Sequence, residues 1–326
     1  MYMNNKTTGL KSIALELKLS INTVSRALRD CDDISEATKE KVRKKAFELG
    51  YMPNNITQFI KKYNKPLVAI VVNSFNNTYF SIVMQKLSEV FEKENCDFTV
   101  IYTLKKKLDL EVIKQCISQR VDGIITLIEV EDDAIVNAKL NNMPIVALGR
   151  NIDKDYIDSI YNDDEKVGKL IGDYFLQKPI DKFIYIKMTN VECSKRRQNS
   201  LIDYMKKINP NNDIVVLEEK QVDSKLYDLL ENGYMGIFCF NDEVAYHLLE
   251  NIKTIDKNYK ERYPLLSVVG FDNLASQISG FKDITSISYD YDKLCKTAVM
   301  LIKERFAGRI ERKSIKFNIS LHVGEE

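Results

Sequence analysis

Residues 20–28 read S-I-N-T-V-S-R-A-L, and the spacing within them decides the class of the N-terminal fold. Val24 and Leu28 lie one helical turn apart and share a face that can be buried, with Ile21 joining or bordering it. Asn22, Thr23, Ser25 and Arg26 cover much of the remaining surface. Short hydrogen-bonding groups and one forked cation are the chemistry that reads base edges: Arg on guanine, Asn on adenine, hydroxyls on either. Ser20 is a good N-cap and starts the helix there. Upstream, residues 10–17 (L-K-S-I-A-L-E-L) put Leu10, Ile13, Ala14 and Leu17 at helical spacing, and Lys18-Leu19 leaves room only for a tight turn. Two short amphipathic helices joined this way read as a helix-turn-helix; a two-helix hairpin in a core is the plainer alternative.

Downstream, residues 29–33 form a polar loop and Ser35 caps a third helix that runs to about Leu49, with Val42, Ala46 and Leu49 facing the other two. Gly50 ends it. After a break at 51–55, residues 56–62 (I-T-Q-F-I-K-K) are too few to hold a helix alone in water, because nucleation is costly. They order only when something packs on them; otherwise they are a linker.

Charge is spread unevenly. Residues 1–62 hold twelve Lys and Arg against seven Asp and Glu, whereas the whole 326-residue chain has a net charge of only +1. A basic head on a mildly acidic body suits a nucleic-acid module attached to something else. The six cysteines (Cys31, Cys96, Cys116, Cys193, Cys239, Cys295) are scattered, which argues against a disulfide framework and a zinc site and fits a reducing compartment. The first residues contain no apolar run of a signal peptide, and no stretch reaches the ~18 apolar residues of a membrane span. A cytoplasmic protein without membrane contact is expected.

From Lys65 the pattern alternates strands with helices. Strands are expected at 67–72, 98–102, 123–127, 145–148, 159–161, 183–187, 213–217, 236–240, 266–269, 285–288 and about 314–321. Helices are expected at about 78–93, 110–119, 132–140, 165–176, 198–207, 224–231, 242–251 and 291–306. Serial β-α-β units imply parallel sheets covered by helices, and about eleven strands exceed one comfortable sheet, so two lobes are expected.

With this order in view, the chain resembles the lactose/galactose repressor (LacI) family over nearly its whole length. In the head the resemblance rests on I-A-x-x-L at 13–17, S-x-x-T-V-S-R-A-L at 20–28, I-S-x-x-T at 34–38 and L-G-Y-x-P-N at 49–54. In the body it rests on N-x-Y-F at 77–80, V-D-G-I-I at 121–125, M-P-I-V at 143–146, D-D-E-K-V-G at 163–168, N-D-E-V-A at 241–245 and S-V-V-G-F-D at 267–272. The resemblance implies an all-α helix-turn-helix DNA-binding head at 1–53 and a hinge helix at 54–64. It also implies an α/β two-lobed, periplasmic-binding-protein-like core with parallel sheets at 65–326. The first lobe would take about 65–161 and 290–320, the second about 162–289 and 321–326. It further implies a homodimer or a dimer of dimers; no leucine-heptad tail follows the core, which favours the dimer. Five positions depart from the family pattern: Lys18 stands where the turn usually has Gly, Thr57 for Ala and Ile60 for Leu in the hinge, and Ser200 and Leu201 make 197–201 read R-Q-N-S-L for R-x-x-G-F/Y.

On the DNA side, the resemblance makes Ile21, Asn22 and Arg26 the base readers in the major groove. Thr23 and Ser25 go to phosphates, Lys6, Lys11 and Asn54 add backbone contacts, and Ile60 is a minor-groove wedge. Paired heads imply a pseudo-palindromic double-stranded operator. On the ligand side, a small effector, carbohydrate first, is expected at the carboxyl ends of the strands between the lobes. Asp272 is a bidentate acceptor for hydroxyls, Asn241 a partner, Arg197 a forked donor, Tyr79, Phe80 and Phe271 a wall, and Arg150 a further candidate. Plainer readings exist: Asn241 and Asp242 as helix caps only, Phe80 and Phe271 as core, Arg196 and Arg197 as a solvated pair. Alternative functions are a solute-binding protein with the same core, or a regulator answering to a nucleobase or a phosphocarrier partner. An enzyme is not expected: no G-x-S-x-G, P-loop, G-x-G-x-x-G or H-E-x-x-H occurs, and His247 and His322 are isolated. Nothing suggests a cofactor or a metal.

Overall fold

The computed structural model describes residues 9–49, 51, 65–189 and 191–324. It divides into two compact units, Met1–Lys65 and Pro66–Glu326.

The first unit is built on α1 (Leu10–Leu17), α2 (Ile21–Leu28) and α3 (Glu36–Glu48). Ser20 and Ser35 cap α2 and α3, their hydroxyls accepting from the amides of Thr23 at 2.9 Å and Thr38 at 3.4 Å. Ile13, Val24, Ala27 and Val42 are wholly buried, with Ala14 and Ala46 beside them. Ile21 stays 49% exposed at the border of this stripe. Lys18 ends α1 in the left-handed region, at φ 53° and ψ 40°, and the Leu19 amide closes the helix end on the Ala14 carbonyl at 2.9 Å. The turn therefore keeps its left-handed geometry without glycine, at the steric cost a Cβ brings there.

The second unit carries two six-stranded sheets. Its strands are β1 (Leu67–Val72), β2 (Asp97–Tyr102), β3 (Lys107–Leu108), β4 (Gly123–Thr126), β5 (Glu129–Val130), β6 (Ile145–Leu148) and β7 (Ile157–Asn162). The rest are β8 (Lys182–Lys187), β9 (Asp213–Glu218), β10 (Gly236–Cys239), β11 (Ser267–Phe271), β12 (Ser286–Ser288), β13 (Ser314–Phe317) and β14 (Ser320–His322). One sheet has the order β13-β7-β6-β4-β1-β2 and the other β14-β12-β11-β10-β8-β9; β3 pairs with β5 alone. All pairings are parallel except β12 with β14. β1 (L-V-A-I-V-V) and β6 (I-V-A-L), both interior to the first sheet, are apolar throughout, as in parallel strands buried on both faces. The chain passes between the sheets three times: after β7, between β12 and helix Tyr291–Phe306, and between β13 and β14.

Several expectations change. The single strand about 314–321 is two strands in different sheets, β13 beside β7 and β14 antiparallel to β12, because the chain crosses at residues 318–319. The lobe boundaries shift accordingly: Asn162 still belongs to the first sheet, and Ser320 already to the second. The helix expected at 198–207 spans Glu192–Ile208; its N-cap, Val191, offers no side-chain cap, so nothing local marks the start. The helix expected from 165 opens as a 3₁₀ turn, Asp164–Lys166, before Val167–Phe175. The β3–β5 pair and the short helix Tyr259–Arg262 were not expected.

Asp158, fully buried on β7, accepts from Arg305 at 2.8 Å, Arg309 at 2.6 Å and the Lys313 amide at 2.8 Å. This anchors the end of helix Tyr291–Phe306 on the first sheet. Burial opposes the charge on Asp158, but the two guanidinium groups hold its carboxyl below the usual range.

Lys18→Gly should relieve the left-handed turn and raise the stability of the head by about 0.5–1 kcal/mol, after the entropic cost of glycine. Urea unfolding of the full chain, followed by a probe in the head, checks it; an unchanged or lower midpoint contradicts the strain.

Candidate functional site

In the head, Ser20 and Thr23 are engaged with each other, Oγ to Oγ1 at 2.8 Å, as well as through the cap. Asn22 is exposed and Ser25 half-exposed on the same side as Ile21. Arg26 is not a free fork: its Nε and Nη2 meet Asp33 at 3.2 and 2.6 Å. The pair is open to solvent, and an exposed ion pair of this kind is weak enough to exchange Asp33 for another acceptor. Asn54 and Ile60 lie outside the described residues.

In the core, strand ends of both sheets converge on a cavity of ≈ 80 Å³. After β1 come Asn77, Tyr79 and Phe80; after β6, Gly149 and Arg150; after β10, Phe240 and Asn241; after β11, Asp272. Arg197 enters from the helix Glu192–Ile208, and Tyr289 from the passage after β12. Six of the seven expected residues thus line one space. Phe271 does not: it is fully buried behind the wall, and the Arg197 guanidinium carbon lies 3.3 Å from its ring centre. Phe80 is nearly buried yet borders the cavity.

Arg197 is no solvated side chain. It is buried, with Nε donating to Asp164 at 3.0 Å and Nη1 to the Phe240 carbonyl at 2.8 Å, while Arg196 takes the other oxygen of Asp164 at 3.2 Å. Burial works against its charge, but Asp164, Cys193 and Asp272 outweigh it and raise its pKa. Asp272 has φ 104°, outside the ordinary range of an L-residue, held there by its amide on the Ile287 carbonyl and its carbonyl under the Tyr291 hydroxyl at 3.0 Å. Its Oδ1 accepts from the Tyr289 hydroxyl at 2.9 Å. Burial pushes the Asp272 carboxyl up to about 8, against the pull of Arg197. Asn241 does cap helix Asp242–Ile255, Oδ1 accepting from the Val244 amide at 3.0 Å, but it also lines the cavity.

Asp242 has a separate task. It accepts from Ser286 at 2.6 Å and from the Leu274 amide at 2.7 Å, which fastens the loop after β11. The glycine of S-V-V-G-F-D exists for this: a Cβ on Gly270 would stand 2.0 Å from Asp242 Oδ1. Burial pushes Asp242 up to about 7. Gly149, at φ 74°, likewise makes room for Tyr79, whose hydroxyl would be 2.6 Å from a Cβ there. Between the lobes, the Thr78 amide and hydroxyl both donate to Glu243 Oε1, the amide at 2.9 Å.

Reading the sequence missed Tyr289, Asn162, Phe240 and the counter-ion Asp164. Asp164 sits in D-D-E-K-V-G, so its motif was visible while its partner was not; Tyr289 carries no local signal. Among the described residues no His/Cys/Asp/Glu cluster could hold a metal ion, and no helix is long and apolar enough to cross a membrane.

Asp242 and Asp272 keep, when folded, protons that the unfolded chain loses above the ordinary value of 3.8. The unfolded state then binds fewer protons, so their contribution to stability falls as pH rises from 3.8 toward 7 and 8. Asp242→Asn should flatten the fall in melting temperature between about pH 5 and about pH 8; an unchanged slope would show that Asp242 does not titrate there.

The comparisons with known proteins agree with this architecture. Residues 9–54 match the model for bacterial regulatory proteins of the lacI family, and residues 68–309 the periplasmic binding protein domain. The HTH-type transcriptional regulator RegA of Clostridium saccharobutylicum is 28% identical over 315 residues, 91% of this chain and 92% of that protein. The lac repressor dimer bound to operator and the anti-inducer ONPF matches with a TM-score of 0.68 at 19% identity, over 97% of this chain and 98% of that one. A LacI family transcriptional regulator from Enterococcus faecium with bound ribose matches with a TM-score of 0.68 at 20% identity, over 79% and 97%. The two structures share the fold, and the family models identify its two parts in one chain. The protein belongs to the lacI family of bacterial regulatory proteins.

Proposed function

We propose that the chain is a cytoplasmic transcriptional repressor without catalytic activity. As a homodimer it holds a pseudo-palindromic operator, and a small carbohydrate in the cavity changes that hold. The observation that carries this reading is the joining, in one chain, of a capped helix bearing exposed base-reading groups and a cavity formed by strand ends of two sheets. Relatives in fold have been seen with ribose and with cellobiose. The cavity suits such a ligand: Arg197, Asn241 and Asp272 offer donors and acceptors, and Tyr79 and Phe80 an aromatic side. A solute-binding protein with the same core leaves the head without a task.

On the DNA, Ile21, Asn22 and Arg26 read bases, with Arg26 trading Asp33 for a guanine edge. Ser20, Thr23 and Ser25 serve at the phosphates, where contacts position without specifying. Ile60, in the segment outside the described residues, is the wedge that kinks a flexible step. A ligand that favours one relation of the lobes biases the two hinges, and by linkage DNA changes the ligand's affinity by the same factor.

Gel shifts on DNA upstream of the protein's own gene, at two salt concentrations and across a panel of sugars, test the reading. Affinity should fall steeply with salt and at least one sugar should change it; binding without preference for any palindrome would refute it. Arg26→Ala should cost about 1–3 kcal/mol of specific binding and relax the preference at one base pair. Asp272→Ala should keep operator binding and abolish its response to ligand; an intact response would place the ligand elsewhere.

A further inference from the structure

The charges around the cavity do not balance. Its lining holds three acidic or basic side chains: Arg150, Arg197 and Asp272. Arg197 is answered by Asp164 at 3.0 Å, and Arg197 is also the cation that acts most on Asp272. Arg150 donates to the Leu127 carbonyl at 3.3 Å and lies 3.8 Å from Cys193 Sγ, and no carboxylate of a described residue pairs with it. The adjoining position cannot supply one: Gly149 is closed off by the Tyr79 hydroxyl. Asp272 does not make up the difference, since burial favours its protonated form. One guanidinium therefore faces the cavity with no carboxylate partner among the described residues, and its remaining N–H groups are free to receive an acceptor.

A wider groove of ≈ 720 Å³ shares Met188 and Val191 with the cavity. It is lined by Lys107, Lys187, Lys195, Glu129 and Glu192, and Lys187 is paired with Glu218 at 3.7 Å, so the charges of the groove are close to balanced.

Resting on the reading that the cleft binds a small carbohydrate, we propose that the effector is an anionic sugar, bearing a phosphate or a carboxylate that Arg150 receives as a fork. Guanidinium matches either group with two parallel hydrogen bonds, and a neutral hydroxyl uses only part of that capacity. The sugar ring is left to Asn241, Arg197 and Asp272.

The test uses the full chain and matched pairs in thermal-shift and calorimetric titrations: glucose with glucose 6-phosphate, ribose with ribose 5-phosphate, glucose with gluconate, and inorganic phosphate and citrate alone. In at least one pair the charged member should bind about ten-fold or more tightly than its neutral counterpart. Arg150→Gln should remove that difference and Arg150→Lys keep part of it, each variant first shown to melt like the parent without ligand. Neutral sugars binding as tightly as charged ones would overturn the anionic effector and leave the carbohydrate reading standing. So would a charge preference that survives Arg150→Gln, as far as Arg150 is concerned. Binding of citrate or phosphate with no sugar would refute the carbohydrate and keep the anion. No shift across the whole panel counts against both.

Discussion

The core turns on a buried guanidinium. The Arg197 guanidinium carbon sits over the Phe271 ring, 3.3 Å from its centre, and the group donates to Asp164 and to the Phe240 carbonyl, so that it binds four separate pieces of chain at one point. Helix Glu192–Ile208 supplies the arginine, the first passage between the sheets supplies the aspartate, and the ends of β10 and β11 supply the carbonyl and the ring. Breaking a buried pair by removing one member costs about 3–5 kcal/mol, since the other charge is then stranded. That constraint fixes the floor of the cavity before any ligand enters, and a preorganised floor spends less of the binding energy on ordering.

Around this point the architecture brings opposing groups close without locking them. The lobes are joined by three passages, and two of them, at Asn162 and Tyr289, border the cavity. The Thr78 amide and hydroxyl reach across to Glu243. Glu243 also stands in the first turn of its own helix, so one carboxylate faces two helix N-termini, where negative charge is favoured. Under the proposed function, contacts of this size would let a ligand tip one lobe arrangement against another. Two buried carboxyls stand close by: Asp242 fastens the loop that carries Asp272, and burial pushes both up from the ordinary carboxyl value.

Much of this was readable along the chain where the cause is local. Ser20 and Ser35 cap because their side chains reach an amide three residues on. Lys18 takes a left-handed conformation because two helices separated by only three residues require a sharp turn. Asn241 and Asp272 reach the cavity because each follows an apolar strand, and strand ends of such sheets face the cleft. Where the cause lies at a distance, the reading stopped short. Phe271 shares those coordinates along the chain but turns inward as the platform for Arg197. Tyr289 and Asp164 have no local pattern that announces a partner, and helix Glu192–Ile208 starts early because tertiary burial of Cys193 and Ser194 replaces a cap.

By itself, then, the order of residues determined the family, the two kinds of module and the elements that present the site, because caps, turns and apolar periods act over a few residues. Tertiary structure alone decided which side chains meet: that Arg197 has a carboxylate partner and Arg150 has none among the described residues, that Asp33 holds Arg26, and that the last strand divides between two sheets. Charge compensation and register depend on distances between residues far apart in the chain, and those distances exist only once the sheets have formed.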